Sequence, residues 1–97
     1  MQPVGDEITV RFFASMKDIF ERKEARVSRD EAPDVGKLLK RLCTSRKMER
    51  GIFADSGGLR PAVIVLLNGR NIAFLGGLEA ALHEGDEVAI FPPLKGG

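Results

Sequence analysis

Along residues 8–13 apolar and polar side chains alternate with a period of two: Ile8, Val10 and Phe12 on one side, Thr9, Arg11 and Phe13 on the other. Successive side chains of an extended chain point to opposite faces, so this stretch predicts a first strand. Over 15–22 the spacing changes: Met16, Ile19 and Phe20 recur at helical intervals and predict a short helix. Alternation resumes over 24–28, where Ala25 and Val27 mark a second strand. The longest helical pattern comes next. Val35, Leu38, Leu39, Leu42 and Cys43 fall on one face and Lys37, Lys40 and Arg41 on the other, which predicts an amphipathic helix over 35–46. Asp34 stands where an N-cap carboxylate accepts from unpaired amides. Arg46 and Lys47 stand where cations complement the negative end of the helix dipole.

Gly51, Gly57 and Gly58 interrupt residues 48–59, which are expected to be irregular, with Ile52 and Phe53 tucking back as a local anchor. A strong strand over 62–67 ends at Asn68-Gly69, a pair suited to a tight hairpin turn. A short returning strand is expected over 71–74. Gly76-Gly77 then breaks the chain, and residues 78–82 hold at most one helical turn. Gly85-Asp86 turns into a last strand over 87–91, which Pro92-Pro93 ends. This order is α+β. A hairpin, one main helix crossing one face, and a last strand returning beside the first make a β-grasp, a mixed sheet of four to five strands.

Composition narrows the class. With 97 residues the chain is expected to be a single domain (1–97) with a flexible tail over about 92–97. A chain of this size buries roughly 60–70% of its unfolded surface, enough for one core without staples. Fifteen basic residues against fourteen acidic leave a net charge of +1, which removes the usual electrostatic drive toward nucleic acid. The single cysteine, Cys43, permits no internal disulfide and points to a reducing compartment, the cytoplasm. No apolar run of signal-peptide or membrane-spanning length occurs, so no membrane association is expected.

The chemistry is concentrated at the end. A buried-type strand with Val88 and Ile90 runs into Pro92-Pro93, and four residues remain: Leu94, Lys95, Gly96 and Gly97. Proline pre-extends the chain, so the tail is expected to project. Six residues from Pro92 reach at most roughly 20 Å. Two residues without side chains can thread a channel that a Cβ would block. A carboxylate is a poor acyl donor until adenylation makes it a mixed anhydride, which a persulfide can attack to leave a thiocarboxylate. That chemistry needs a terminal carboxylate entering another protein's active site and no catalytic residue in this chain. The sequence contains no catalytic constellation.

Phe12-Phe13-Ala14, Leu67-Asn68-Gly69, Gly85-Asp86-Glu87-Val88 and the run from Ile90 to Gly97 resemble the sulfur-carrier family of ThiS and MoaD, the small subunit of molybdopterin synthase. The resemblance covers nearly the whole chain in order. It implies a ubiquitin-like β-grasp fold, a carrier rather than an enzyme, and no bound cofactor. It also implies adenylation of Gly97 by a ubiquitin-activating-type enzyme that uses ATP, with the Gly97 thiocarboxylate as sulfur donor. In the MoaD branch the tail inserts into the large catalytic subunit of molybdopterin synthase, and the cofactor made carries molybdenum or tungsten. Residues 48–59 are longer than a compact thiamin-pathway carrier needs. The stretch 68–78 also resembles carriers for cysteine synthesis and archaeal small modifiers, whose C-terminal glycine forms isopeptide bonds. The acceptor pathway stays open.

Strand alternation also predicts a docking surface. If Ile8, Val10, Phe12, Val63, Val65, Leu67, Val88 and Ile90 face the core, then Arg11, Phe13, Ile64, Leu66, Ala89 and Phe91 share the opposite face. One helix covers only one face, and an uncovered apolar patch marks a partner site. The competing expectation is that residues 48–59 fold over it with Ile52 and Phe53. Cys43, on an apolar helix face without a Cys or His companion, reads as a core thiol, not a sulfur relay or metal ligand. His83 reads as a solvated loop residue. The run from Arg46 to Arg50 reads as a solvated helix end, with docking to acidic surfaces as its alternative. Gly57-Gly58 and Gly76-Gly77 lack the strand–helix context and lysine of a phosphate loop.

Overall fold

The alternating segments form a five-stranded mixed sheet in the computed structural model, which describes residues 6–93. Its strands are β1 (Glu7–Phe12), β2 (Glu24–Ser28), β3 (Ile64–Leu67), β4 (Arg70–Asn71) and β5 (Glu87–Phe91). They lie in the order β2-β1-β5-β3-β4. β5 runs parallel to β1, with Val10 opposite Val88 and Phe12 opposite Ile90, and the other neighbouring pairs are antiparallel. This is the β-grasp arrangement, the long crossover supplying the parallel central pair. The tail residues Leu94, Lys95, Gly96 and Gly97 lie outside the described residues.

Helices α1 (Ser15–Phe20), α2 (Val35–Leu42) and α3 (Arg46–Ile52) share one core. Met16 and Phe20, Val35, Leu38 and Leu39, and Ile52 bury their side chains with Ile8, Val10, Phe12, Val65, Val88 and Ile90. All eight residues assigned to the core face by alternation are buried. Asp34 caps α2 as expected, its Oδ1 accepting from the Lys37 amide at 2.8 Å.

The helix predicted over 35–46 is two helices. α2 stops at Leu42, Cys43 is extended, and Ser45 caps α3 by accepting from the Met48 amide at 3.2 Å. The hydroxyls of Thr44 and Ser45 offer the backbone alternatives to helix continuation, and here Ser45 starts a new one. Arg46 and Lys47 therefore open α3, and Lys40 and Arg41 hold the last turn of α2, where cations suit the dipole. The segment 48–59 is correspondingly less irregular than expected. Ile52 is wholly buried in the central core rather than in a local anchor, and Phe53 bridges to Leu59.

Other boundaries move for local reasons. β1 ends at Phe12, α1 at Phe20 with Glu21 left-handed, and β3 begins only at Ile64, after a turn in which the Val63 amide donates to the Arg60 carbonyl at 3.1 Å. The returning strand is only Arg70–Asn71. The Asn71 side chain then accepts from the Ala73 amide at 2.9 Å and turns Ile72–Phe74 into a 3-10 turn.

Two of the sequence motifs meet in space. Asn68 and Gly69 take φ of 50° and 86°, the left-handed values that a two-residue hairpin needs. Asn68 Nδ2 donates to Asp86 Oδ1 at 2.9 Å, and Asn68 Oδ1 accepts from the Glu87 amide at 2.9 Å. Asp86 Oδ2 in turn accepts from the His83 amide at 2.8 Å. Asn68-Gly69 and Gly85-Asp86 are thus one latch, tying the β3–β4 hairpin to the start of β5.

Candidate functional site

Because every helix packs on one side, the other side of the sheet keeps its side chains open, and register decides which of them meet. Arg11 lies opposite both Glu24 of β2 and Ala89 of β5, Leu66 opposite Ala89, and Ile64 opposite Phe91. Phe13, one residue past β1, continues the ladder by donating its amide to the Ile90 carbonyl at 3.1 Å. Its ring stacks on Phe91 with centroids 4.5 Å apart and planes 6° from parallel. All six residues assigned to this face by alternation are brought together.

The face has two halves. Toward β2 it is ionic: Arg11 pairs with Glu87 and reaches Glu24 at 3.5 Å, and Arg26 reaches Glu24 at 3.3 Å. The Arg11 guanidinium donates to the Glu87 carboxylate, which pushes the Arg11 pKa up. Toward β3, and at the end where the chain leaves β5, it is apolar. Phe13 is 38% exposed and Ile64 37%, with Leu66, Ala89 and Phe91 half-buried beside them. Residues 48–59 do not close over this patch, since Ile52 belongs to the opposite side. The apolar half adjoins Pro92 and Pro93, the root of the tail.

A groove borders the same prolines on the helix side, with Met16 and Ile19 of α1, Gly51 of α3 and Arg60. Sequence reasoning did not single out Arg60. It is an isolated cation in a loop, and no periodic pattern marks it.

The run from Arg46 to Arg50 is not a helix end but the body of α3, and Cys43 lies one residue past α2, extended rather than on its apolar face and packed against the core instead of within it. Cys43 is half-buried, and desolvation, with a smaller contribution from Glu49, pushes its thiol up to about 11, far from a reactive thiolate. The His83 side chain is exposed. Gly57 sits in a tight turn between Ala54 and Gly58, and Gly77 opens the 3-10 turn Gly77–Glu79. Among the described residues no three of His, Cys, Asp or Glu gather as metal ligands, and no helix is long and apolar enough to cross a membrane.

The model of the ThiS family matches residues 10–97, from β1 through the terminal glycines. The chain belongs to this family. Its relatives are ubiquitin-like sulfur carriers and modifiers. Small archaeal modifier protein 3 of Haloferax volcanii is 35% identical over 91 residues, which span 94% of this chain and 99% of that protein. The crystal structure of small archaeal modifier protein 1 from H. volcanii superposes with a TM-score of 0.78 at 31% identity, covering 93% of this chain and 100% of that one. The solution structure of small archaeal modifier protein 1 from Methanosarcina acetivorans gives 0.77 at 31%, covering 94% and 96%. Family membership and superposition agree on the β-grasp fold read from the sequence, and these members are small carrier or modifier proteins.

Proposed function

We propose that Gly97, the last residue of this sequence, is the group on which the protein acts. A ubiquitin-activating-type enzyme joins its carboxylate to AMP from ATP, releasing pyrophosphate. A persulfide sulfur then displaces AMP, and a thiol frees the thiocarboxylate, leaving a disulfide behind. Gly97 thereafter donates sulfur. One observation carries this reading: β5 delivers the chain beside the exposed Phe13 and Ile64 and the half-buried Phe91, with four residues left before Gly96-Gly97, all inside the span matched by the family. The apolar half of the sheet docks the partner while Leu94, Lys95, Gly96 and Gly97 enter its active site. This chain binds no nucleotide itself; ATP belongs to the partner. A reducing cytoplasm suits a thiocarboxylate.

The acceptor we assign first is the large catalytic subunit of molybdopterin synthase, making the dithiolene that holds molybdenum or tungsten. Cysteine and thiamin synthesis are the alternative sulfur acceptors. A second reading, that Gly97 forms isopeptide bonds with lysines of other proteins, is favoured by relatives named as modifiers over nearly the full chain length. Both need the same activation. The test is ATP–pyrophosphate exchange by a purified ubiquitin-activating-type enzyme. Exchange should require this chain and vanish on deleting Gly97; exchange that persists without Gly97 contradicts the proposal.

A further inference from the structure

The root of the tail has a second side. On the face of the sheet that carries the helices, Pro92 and Pro93 form one wall of an open groove of about 330 Å³, with Met16 and Ile19 as its apolar lining. Gly51 brings α3 close to α1 without filling this space: a Cβ there would lie 3.2 Å from Ile19 Cδ1. Arg60 supplies the charge. Its backbone amide donates to the Ile52 carbonyl at 2.8 Å and its Nη1 to the Arg50 carbonyl at 2.9 Å, so main chain and guanidinium are both tied to the end of α3.

A guanidinium carries five N–H donors, and the Arg50 carbonyl takes one. Among the described residues no carboxylate forms an ion pair with Arg60; the cations paired there are Arg11, Arg26, Lys37 and Arg41. No acidic side chain lines the groove. Arg60 also borders a neighbouring groove that holds Arg50 and Asp55, so its guanidinium sits at the rim where an apolar groove meets a polar one. A tethered cation with spare donors at the rim of an apolar groove is complementary to a carboxylate flanked by an apolar side chain.

We propose that the groove is a second contact for the partner that takes the tail, and that Arg60 receives an Asp or Glu carboxylate of that partner. The inference rests on the proposed entry of the tail into a partner's active site. Continuity connects the two surfaces: Pro92 follows Phe91 of the open face and also walls the groove. A protein closing around the tail therefore meets both. A partner that holds the Phe13–Phe91 stack and Arg60 together fixes Pro92 and Pro93 between two contacts. The ordering cost of presenting the two glycines falls on the docked complex rather than on the reaction.

Carrier-dependent ATP–pyrophosphate exchange with the full chain reads this contact. Arg60→Glu should raise the KM for the carrier about tenfold or more at unchanged kcat, the size expected for losing a desolvated charge pair. Arg60→Gln, which keeps an N–H donor for the Arg50 carbonyl, should raise KM less while melting like the parent, and Arg60→Lys should retain most of the affinity. Parental KM in Arg60→Glu and Arg60→Gln, together with a raised KM in Phe91→Asp, overturns the groove contact and leaves the tail reading standing. Exchange indifferent to Phe91→Asp and to deletion of Gly97 overturns the tail reading itself. A lowered KM in Arg60→Glu would mean that Arg60 holds this chain's own terminal carboxylate, and it equally overturns a partner contact.

Discussion

Phe12 and Phe13 are consecutive residues, and each stacks on another phenylalanine with centroids 4.5 Å apart, yet the two stacks have opposite surroundings. Phe12 meets Phe20 of α1 beneath the helices, where the rings are 2% and 4% exposed. Phe13 meets Phe91 on the open face, where it is 38% exposed. The end of one strand sends one ring to each side of the sheet. What differs is cover. The same aromatic contact contributes to folding where helices exclude water and leaves apolar area for association where nothing does.

The comparison can be broken by exchanging the effects. Phe20→Ala removes half of the covered stack and should cost about 3–5 kcal/mol of stability in urea unfolding. A loss below about 1 kcal/mol would mean the covered stack is not part of the core. Phe91→Asp should weaken the activating partner's binding by about 2 kcal/mol in calorimetry, the loss expected at an interface anchor. Its stability should fall by about 1–2 kcal/mol, the stack and strand preference it gives up, and stay well short of the loss in Phe20→Ala. If it unfolds the domain as readily as Phe20→Ala does, the open face is structural. Asn68→Ala breaks the latch far from both stacks and should cost about 1.5 kcal/mol of stability without changing partner affinity. A lowered affinity there would extend the docking surface to the hairpin end.

The smallest effect sharpens the boundary between the two stacks. Ala14, directly after Phe13, holds φ 52° and ψ −133°, a conformation that suits glycine. Ala14→Gly should therefore stabilise the fold by about 1 kcal/mol in thermal unfolding. Partner binding should be unchanged if Phe13 is positioned by its stack on Phe91 rather than by the strained turn.

Much of this was legible along the chain because strand alternation is strict. Once Ile8, Val10 and Phe12 are assigned inward, Arg11 and Phe13 must face outward, and β5 follows the same rule with Val88 and Ile90 against Ala89 and Phe91. Helix ends obeyed no such rule. The apolar spacing from Val35 to Cys43 gave no sign that the chain would stop and restart, since one hydroxyl, that of Ser45, made the new cap. The returning strand over 71–74 failed for a similar reason: the Asn71 amide side chain captured the Ala73 N–H. Arg60 was illegible because its importance lies in what the fold sets beside it, residues of α1, α3 and the tail root that are distant in sequence.

The central claim is that Gly97 carries the chemistry, and intact-mass measurement tests it most directly. The full chain is incubated with a ubiquitin-activating-type enzyme, ATP and a sulfur donor. The account predicts a gain equal to the replacement of one oxygen by sulfur, absent when Gly97 is deleted; a ladder of heavier conjugates joined through Gly97 would select the modifier reading. A mass unaltered under conditions in which the enzyme consumes ATP with this chain, or altered equally without Gly97, would contradict it.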